Sequence, residues 1–393
     1  MDLVNATKLK AAYTVVLDPD GRERLVVVAK GTFAIPVSDV EAPLADEQAD
    51  LVLADEFEGE PGKSAVRYES DFAPVKPRCD VLLNGSAYAE RGRPAQMVQV
   101  GLRVGAMSKG LGVYGPRCWV SRLFGIAPTE PQPFVRALFG YGTAFGGEDA
   151  DPDDLEKVAA YRENPVGTGF FPHTKGSELV GRLAPNTAEV SRPVKSTTGA
   201  YRPMALGAVG RNFAHRIALA GTYDEAWLED TFPFLPPNFD PRYFQAAPPE
   251  QQIDYPRGGE PVAMLNLTPS GRADFRLPRL ELPVEFSALD GRRSEQRAVP
   301  DTILLEPDLG RMLITWRASL PLRRDIMEMA EVIVGKQTRA FHLARATGKR
   351  YVPSLDAYIR EKREEQDPAA QDEPAEDGDQ GFFQSLGIDP EEG

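Results

Sequence analysis

The side chains of this sequence best suited to moving protons at neutral pH are its three histidines, His173, His215 and His342. None stands in a zinc-ligand spacing, and neither H-E-x-x-H nor a paired C-x-x-C occurs. His173, in the run Phe171-Pro172-His173-Thr174-Lys175-Gly176, sits in a Gly-rich loop and is the best candidate for a general base. Such a base needs a nucleophile to activate, and the elbow G-x-S-x-G is absent. His215 and His342 read as structural residues.

The remaining chemical patterns fail on residue order. Thr174-Lys175-Gly176-Ser177 has the residue types of a phosphate loop, but Lys precedes Gly. The run from Gly140 to Gly147 puts Phe145 where G-x-G-x-x-G needs its third Gly, and no βαβ pattern surrounds it. Its glycines read as turns that require φ > 0. Asp149, Asp151 and Asp153 occupy positions 1, 3 and 5 of a calcium loop; Asp154 then stands where Gly is needed, and Ala160 where a bidentate Glu belongs. A solvated acidic loop is expected there. No catalytic residue, metal or cofactor is assigned, and the chain reads as a binding protein.

The elements that carry these residues read as short strands. The chain has 393 residues, 42% of them hydrophobic, which is enough for one large or two ordinary domains. Gly and Pro, 35 each, are spread through the first 320 residues and punctuate short apolar runs. Tyr13 to Leu17 and Leu25 to Phe33 flank the turn Asp18-Pro19-Asp20-Gly21 and predict a hairpin. Asp39 to Lys63 is polar and reads as a surface excursion. Val98, Val100, Leu102 and Val104 alternate with polar residues and Gly, and Leu111 and Val113 continue the pattern beyond a turn spanning Gly105 to Gly110. Leu280, Leu282, Val284 and Phe286 alternate likewise, as do Met312, Ile314, Trp316 and Ala318 after the turn from Glu306 to Gly310. Gly140 to Pro261 is irregular but rich in aromatics, which predicts long loops packed on sheet surface. Trp119, Trp227 and Trp316 are expected in the core.

The fold class expected is mainly β: large twisted antiparallel sheets, as a sandwich or open barrel-like, with long Gly/Pro/aromatic loops and one or two C-terminal helices. Residues 1–325 form the β-rich domain of this reading and 326–365 a helical segment packed on it. Ile326 to Val334 fits strand or helix. Lys336 to Thr347 reads as a helix stopped by Gly348, and Ser354 can cap a second running to about Glu365. Residues 366–393 read as a disordered acidic tail, with nine acids, no Lys or Arg, and one apolar cluster from Phe382 to Ile388.

Net charge is −14; the 59 acids less those nine leave 50 against 45 bases, or −5, over residues 1–365. That balance gives no reason to expect a nucleic-acid partner. Met1-Asp2-Leu3-Val4-Asn5 has neither a basic n-region nor an apolar h-region, so no secretory leader is expected. No apolar run approaches the roughly 18 residues that span a bilayer, so no membrane insertion is expected. Two cysteines, Cys79 and Cys118, in so long a chain fit a reducing compartment, where each packs as a small apolar residue. A cytoplasmic location follows as the expectation.

Several segments together resemble one bacterial family. They are Lys76-Pro77-Arg78-Cys79-Asp80-Val81-Leu82-Leu83-Asn84-Gly85, Gly115-Pro116-Arg117-Cys118-Trp119, and Ala144-Phe145-Gly146-Gly147 followed by Asn164-Pro165-Val166-Gly167-Thr168-Gly169-Phe170. Gly221-Thr222-Tyr223-Asp224-Glu225-Ala226-Trp227, Pro236-Pro237-Asn238-Phe239-Asp240, Arg257-Gly258-Gly259-Glu260 and Asn266-Leu267-Thr268-Pro269-Ser270-Gly271 follow in order. Over about residues 1 to 325 this order and spacing look like the domain family of type VI secretion accessory proteins, the adaptor-chaperones. The resemblance implies a cytoplasmic protein that stabilises a toxin effector, often through its spike-tip or N-terminal region, and helps load it onto the secretion spike. It supplies no catalytic residues.

On this reading the aromatic loops between Phe170 and Tyr255 are the contact surface, with Phe170, Phe171, Phe232, Phe234, Phe239 and Tyr243 as candidates. Core packing is the competing role for each. The tail offers a second contact through Phe382, Phe383, Leu386 and Ile388, whose near-helical spacing suits folding onto a groove. The rival class is a hydrolase or transferase with a cleft around His173. Deleting residues 366–393 is expected to weaken capture of the partner and leave the melting temperature unchanged; a pull-down of the truncated chain that retains the partner in full would show the tail to be a passive solubiliser.

Overall fold

The computed structural model describes residues 1–352 except 19, 124, 152, 280 and 350. Two compact units divide the chain, Met1–Lys336 and Gln337–Gly393. The division falls after Lys336 and not at residue 325, because Met329–Val334 is a strand of the first unit, paired parallel to Asp2–Asn5 and antiparallel to Pro283–Ala288. Ile326–Glu328 forms only a 3₁₀ turn ahead of it. The β-branched run Val332, Ile333 and Val334, buried throughout, favours extended backbone here.

The first unit is β-rich, as its turns and alternations require. Its largest sheet runs in the order Gln252–Ile253, Cys79–Leu83, Val299–Glu306, Arg311–Pro321, Glu23–Ala34, Lys10–Leu17. The expected first hairpin is present, with Gly21 at φ 82 in its turn, and so is the hairpin closed by Pro307–Leu309 with Gly310 at φ 63. Pairing is mainly antiparallel, but Cys79–Leu83 joins Val299–Glu306 in parallel. Strands so far apart in sequence reach one another by long connections, which permits parallel alignment. A five-stranded sheet contains Met97–Val104 and Met107–Tyr114. Their turn is shorter than Gly105 to Gly110: Val104 pairs with Met107, and Gly105 at φ 58 leaves only Ala106 beside it.

Alternation decides what the sheets bury. Met312, Ile314, Trp316 and Ala318 face one core with Leu25, Val27, Val100, Leu111, Val262, Phe286 and Val332, drawn from three sheets. The sheets thus pack face to face, and among the described residues none closes into a barrel. Trp119 and Trp316 are core residues, 0% and 2% exposed. Trp227 departs from expectation: it is half-buried on a short surface helix, Glu225–Asp230, with its indole N–H donated to the Phe234 carbonyl at 2.9 Å.

The other face of the largest sheet is also covered. The loops 65–76 and 205–247 lie over it around an apolar cluster of Val66, Leu82, Ala246, Leu304 and Leu313. Among them runs a layer of buried charge. Lys30 Nζ donates to Asp71 at 2.8 Å, Lys76 Nζ to Asp80 at 2.9 Å, and Arg317 Nε to Asp301 at 2.6 Å. Asp80 accepts also from Gln245 Nε2 and the Ala246 amide, so the covering loop is fastened to the strand by one carboxylate. Burial works to lower the pKa of Lys76, and the carboxylates of Asp80, Glu69 and Asp301 more than reverse it, holding the ammonium charged. A cavity of about 40 Å³ remains between these groups. Burial pushes the Cys79 thiol well above its ordinary pKa, as befits a packed residue.

In the second unit the helix is Arg339–Ala346, starting later than Lys336 because Thr338 caps it by accepting from the Phe341 amide. Gly348 at φ 65 ends it, as expected. The helix expected from Ser354 to Glu365 and the tail lie outside the described residues, and no described helix is long and apolar enough to cross a membrane. Breaking a buried ion pair from one side leaves an uncompensated charge, so Asp80→Ala is expected to cost about 3–5 kcal/mol in chemical denaturation. An unchanged midpoint would show that the layer does not hold the loop.

Candidate functional site

The motif residues around Gly146 and Asn164 build an open groove on the first unit. Asn164, fully buried, donates its side-chain amide to the carbonyls of Tyr141 at 2.9 Å and Phe145 at 3.2 Å. Its own carbonyl accepts from the Gly147 amide at 2.9 Å. Phe145–Gly146 then pairs in parallel with Thr168–Gly169. The approach is too close for side chains. A Cβ on Gly146 (φ 154) would sit 2.1 Å from the Asn164 carbonyl oxygen, and one on Gly167 would sit 2.3 Å from Asn164 Nδ2. The turns read from the sequence are there, and their consequence is a floor of bare backbone.

Above this floor lies a groove of about 420 Å³ walled by Phe171, Arg182, Leu183 and Glu148. Leu183 is 66% exposed. The Arg182 guanidinium stacks over the Phe171 ring at 5.2 Å, and its Nε donates to the Glu178 carbonyl. Among the described residues no carboxylate forms an ion pair with Arg182. Arg117 supports the wall from beneath: buried against the Tyr114 ring at 4.4 Å, it donates twice to the Pro185 carbonyl, and Pro185 bears on Gly169.

The loop that carries Phe171 is pinned by Asp149. That carboxylate accepts from the amides of His173 (2.7 Å) and Thr174 (2.8 Å) and from Thr174 Oγ1 (2.6 Å). Burial works to raise its pKa, and the hydrogen bonds from Thr174 and His173 outweigh it, leaving Asp149 below its ordinary value. Asp151 accepts from the Asp153 amide and pairs with Lys157, while Asp149 holds the loop at Thr174, so the three aspartates of the calcium spacing do not converge. No group of three or more His, Cys, Asp or Glu gathers as a metal site among the described residues. His173 Nδ1 lies 3.7 Å from Asp151 Oδ2. His215, on the helix Ala214–Ile217, is held below its ordinary pKa by burial and by Arg216.

The aromatic candidates fall in three places. Phe170 and Phe171 both line the groove and both pack on the small core of Trp119, Phe170 through contacts with Phe145 and Tyr161. Phe239 and Tyr243 pack on each other and on Phe244, with the buried Arg216 over the Tyr243 ring. Phe234 lies over the Gly21 turn, and Phe232 is 61% exposed beside Trp227. Phe382, Phe383, Leu386 and Ile388 lie outside the described residues. Sequence reasoning missed Arg182 and Leu183, which stand in a run without alternation or helical spacing. The signal that could have found them is an exposed Leu beside an Arg following a Gly-rich motif.

Fold and groove define a β-sheet scaffold with a glycine-floored surface groove. The model of a family described as an uncharacterized protein conserved in bacteria (DUF2169) matches residues 20–317, and the chain belongs to that family. No curated protein and no solved structure matches it.

Because the native pKa of Asp149 is lowered, its bonds contribute stability above the ordinary value of 3.8 and lose it as pH falls through the native value. Asp149→Ala is expected to lose about 1–3 kcal/mol at pH 7, with a smaller further loss on acidification than the parent chain. Urea midpoints at pH 7 and pH 3 check both; equal acid sensitivity would remove Asp149 as the pin.

Proposed function

We propose that this protein is an adaptor-chaperone of a type VI secretion system, which binds a toxin effector or its spike-tip region and helps load it onto the spike. The observation that carries this reading is the groove. Its floor presents main chain without side chains, which suits an extended segment of another protein. Phe171 and Leu183 supply apolar anchors, and Arg182 supplies a cation for a partner carboxylate. The resemblance of the ordered motifs to secretion accessory proteins supplies the biological setting.

Strand addition has a second place to occur. The sheet edges Arg272–Arg276 and Arg293–Arg297 are blunted by charge, while the edge Lys10–Leu17 carries Ala-Ala-Tyr-Thr-Val-Val over eight residues. In the rival reading, a hydrolase or transferase, the His173–Asp151 approach would orient a base. His173→Ala separates the two, since loss of secretion with capture intact favours catalysis.

The test is affinity capture of the tagged protein from its native cells, with partners identified by mass spectrometry. A toxin or spike-tip protein at near-equal amounts is the expected result. The double variant Arg182→Ala/Leu183→Asp should lower that capture at least tenfold with an unchanged melting temperature. A chain recovered without any partner, or a variant that captures as well as the parent, would overturn the reading.

A further inference from the structure

A second surface, built by other residues, carries an inference of its own. The helix Glu225–Asp230 is capped by Asp224, whose Oδ1 accepts from the Trp227 amide at 2.9 Å. Phe234 anchors the segment from below: it lies against the first hairpin, where a Cβ on Gly21 would meet its ring at 3.1 Å. With that ring turned inward, the others face water. Tyr223, Leu228 and Phe232 are 53%, 59% and 61% exposed. Tyr223 and Phe232 form one patch with Trp227, whose ring meets Tyr223 edge-on at 4.8 Å and Phe232 at 5.6 Å, and Leu228 follows Trp227 on the same helix. Large apolar side chains so close together and so exposed mark an interaction surface.

The charge carried by this segment has a single sign. Asp224, Glu225, Glu229 and Asp230 are all exposed, and the segment 223–232 contains no Lys or Arg. None of the four forms an ion pair with a base among the described residues. An aromatic patch ringed by unpaired carboxylates repels phosphate and anionic lipid, and equally the chain's own acidic tail with its nine carboxylates. We propose that it docks a protein segment in which an aromatic or aliphatic anchor is flanked by Lys or Arg. The apolar anchor would lie on the rings of Tyr223, Trp227 and Phe232, with the bases on Glu225, Glu229 and Asp230. The proposal does not depend on the secretion reading.

Trp227 provides the measurement, since Trp119 and Trp316 are sealed in the core. The probe is a short synthetic peptide with a Phe-Leu pair flanked by Lys and Arg, titrated against the full chain while tryptophan emission is followed. The expected result is a saturable emission change, absent in Trp227→Phe and weakening as salt rises. Affinity should fall at least tenfold in Glu225→Gln/Glu229→Gln/Asp230→Asn and in Phe232→Ser. Leu228→Gln gives a second apolar test should Phe232→Ser lose its native circular dichroism. The groove variant Arg182→Ala should bind the peptide as the parent does, so failure of the groove and failure of this surface are told apart. Equal affinity in the charge variant would overturn the proposal. So would a concentration-dependent dimer abolished by Phe232→Ser, which would give the surface to a second copy of the chain.

Discussion

Buried charge on the outer face of the six-stranded sheet constrains the rest of the structure. A sheet of alternating residues ordinarily leaves one face wet. Here Glu23–Ala34 is buried on both sides, and its outward set includes Lys30 and Thr32. Charges taken out of water in this way persist only if each finds a partner. Asp71, Asp80 and Asp301 are those partners; Asp71 and Asp80 tie covering segments to the sheet, and Asp301 joins two neighbouring strands through Arg317. Asp71 reaches Lys30, Thr315 Oγ1 and the Val52 amide, and Asp80 reaches Lys76 and the loop at Ala246. The long irregular stretches are thereby held as a second layer.

The same logic continues to the groove. Arg216, only 1% exposed, is satisfied by Glu69 and by the carbonyls of Val209 and Tyr243, which fixes the covering layer around Phe213 and Tyr243. Nearby, one buried amide, that of Asn164, replaces a sheet ladder as organiser of the glycine segments. A side-chain amide that serves two carbonyls fixes their separation, and only glycine backbone fits the space left. The floor of the groove is therefore a by-product of how the buried Nδ2 group of Asn164 is satisfied.

Much of the sheet structure was legible in the sequence because it rests on local alternation. Val98 to Val104 and Met312 to Ala318 declare one buried face each, and the turns at Gly21 and Gly310 declare their glycines. What stayed hidden depends on distant partners. Nothing local pairs Cys79–Leu83 with Val299–Glu306, and Ile326 to Val334 becomes strand only because Asp2–Asn5 and Pro283–Ala288 flank it. The site was half legible. Its glycines and Phe171 announced themselves, but Arg182 gains meaning only once the fold stacks it on that ring. Phe170, Phe239 and Tyr243 each pack on neighbouring rings, the competing role weighed for every aromatic in these loops.

Groove and acidic patch also differ in charge, and the difference has a mechanical consequence. The groove offers an unpaired guanidinium and the helix Glu225–Asp230 offers unpaired carboxylates, on a body that is weakly acidic, −5 over residues 1–365. Attraction at each would therefore be local, selecting and orienting a partner of the kind proposed more than drawing one in from a distance. Both are mounted on fixed backbone, one through Asn164 and the other through Phe234 on the Gly21 turn. Little ordering entropy is left to lose on the protein's side when a segment docks. A partner that arrives flexible would bear that cost itself, and rigid presentation of this kind is what a protein needs if it is to hold a segment that has no fold of its own.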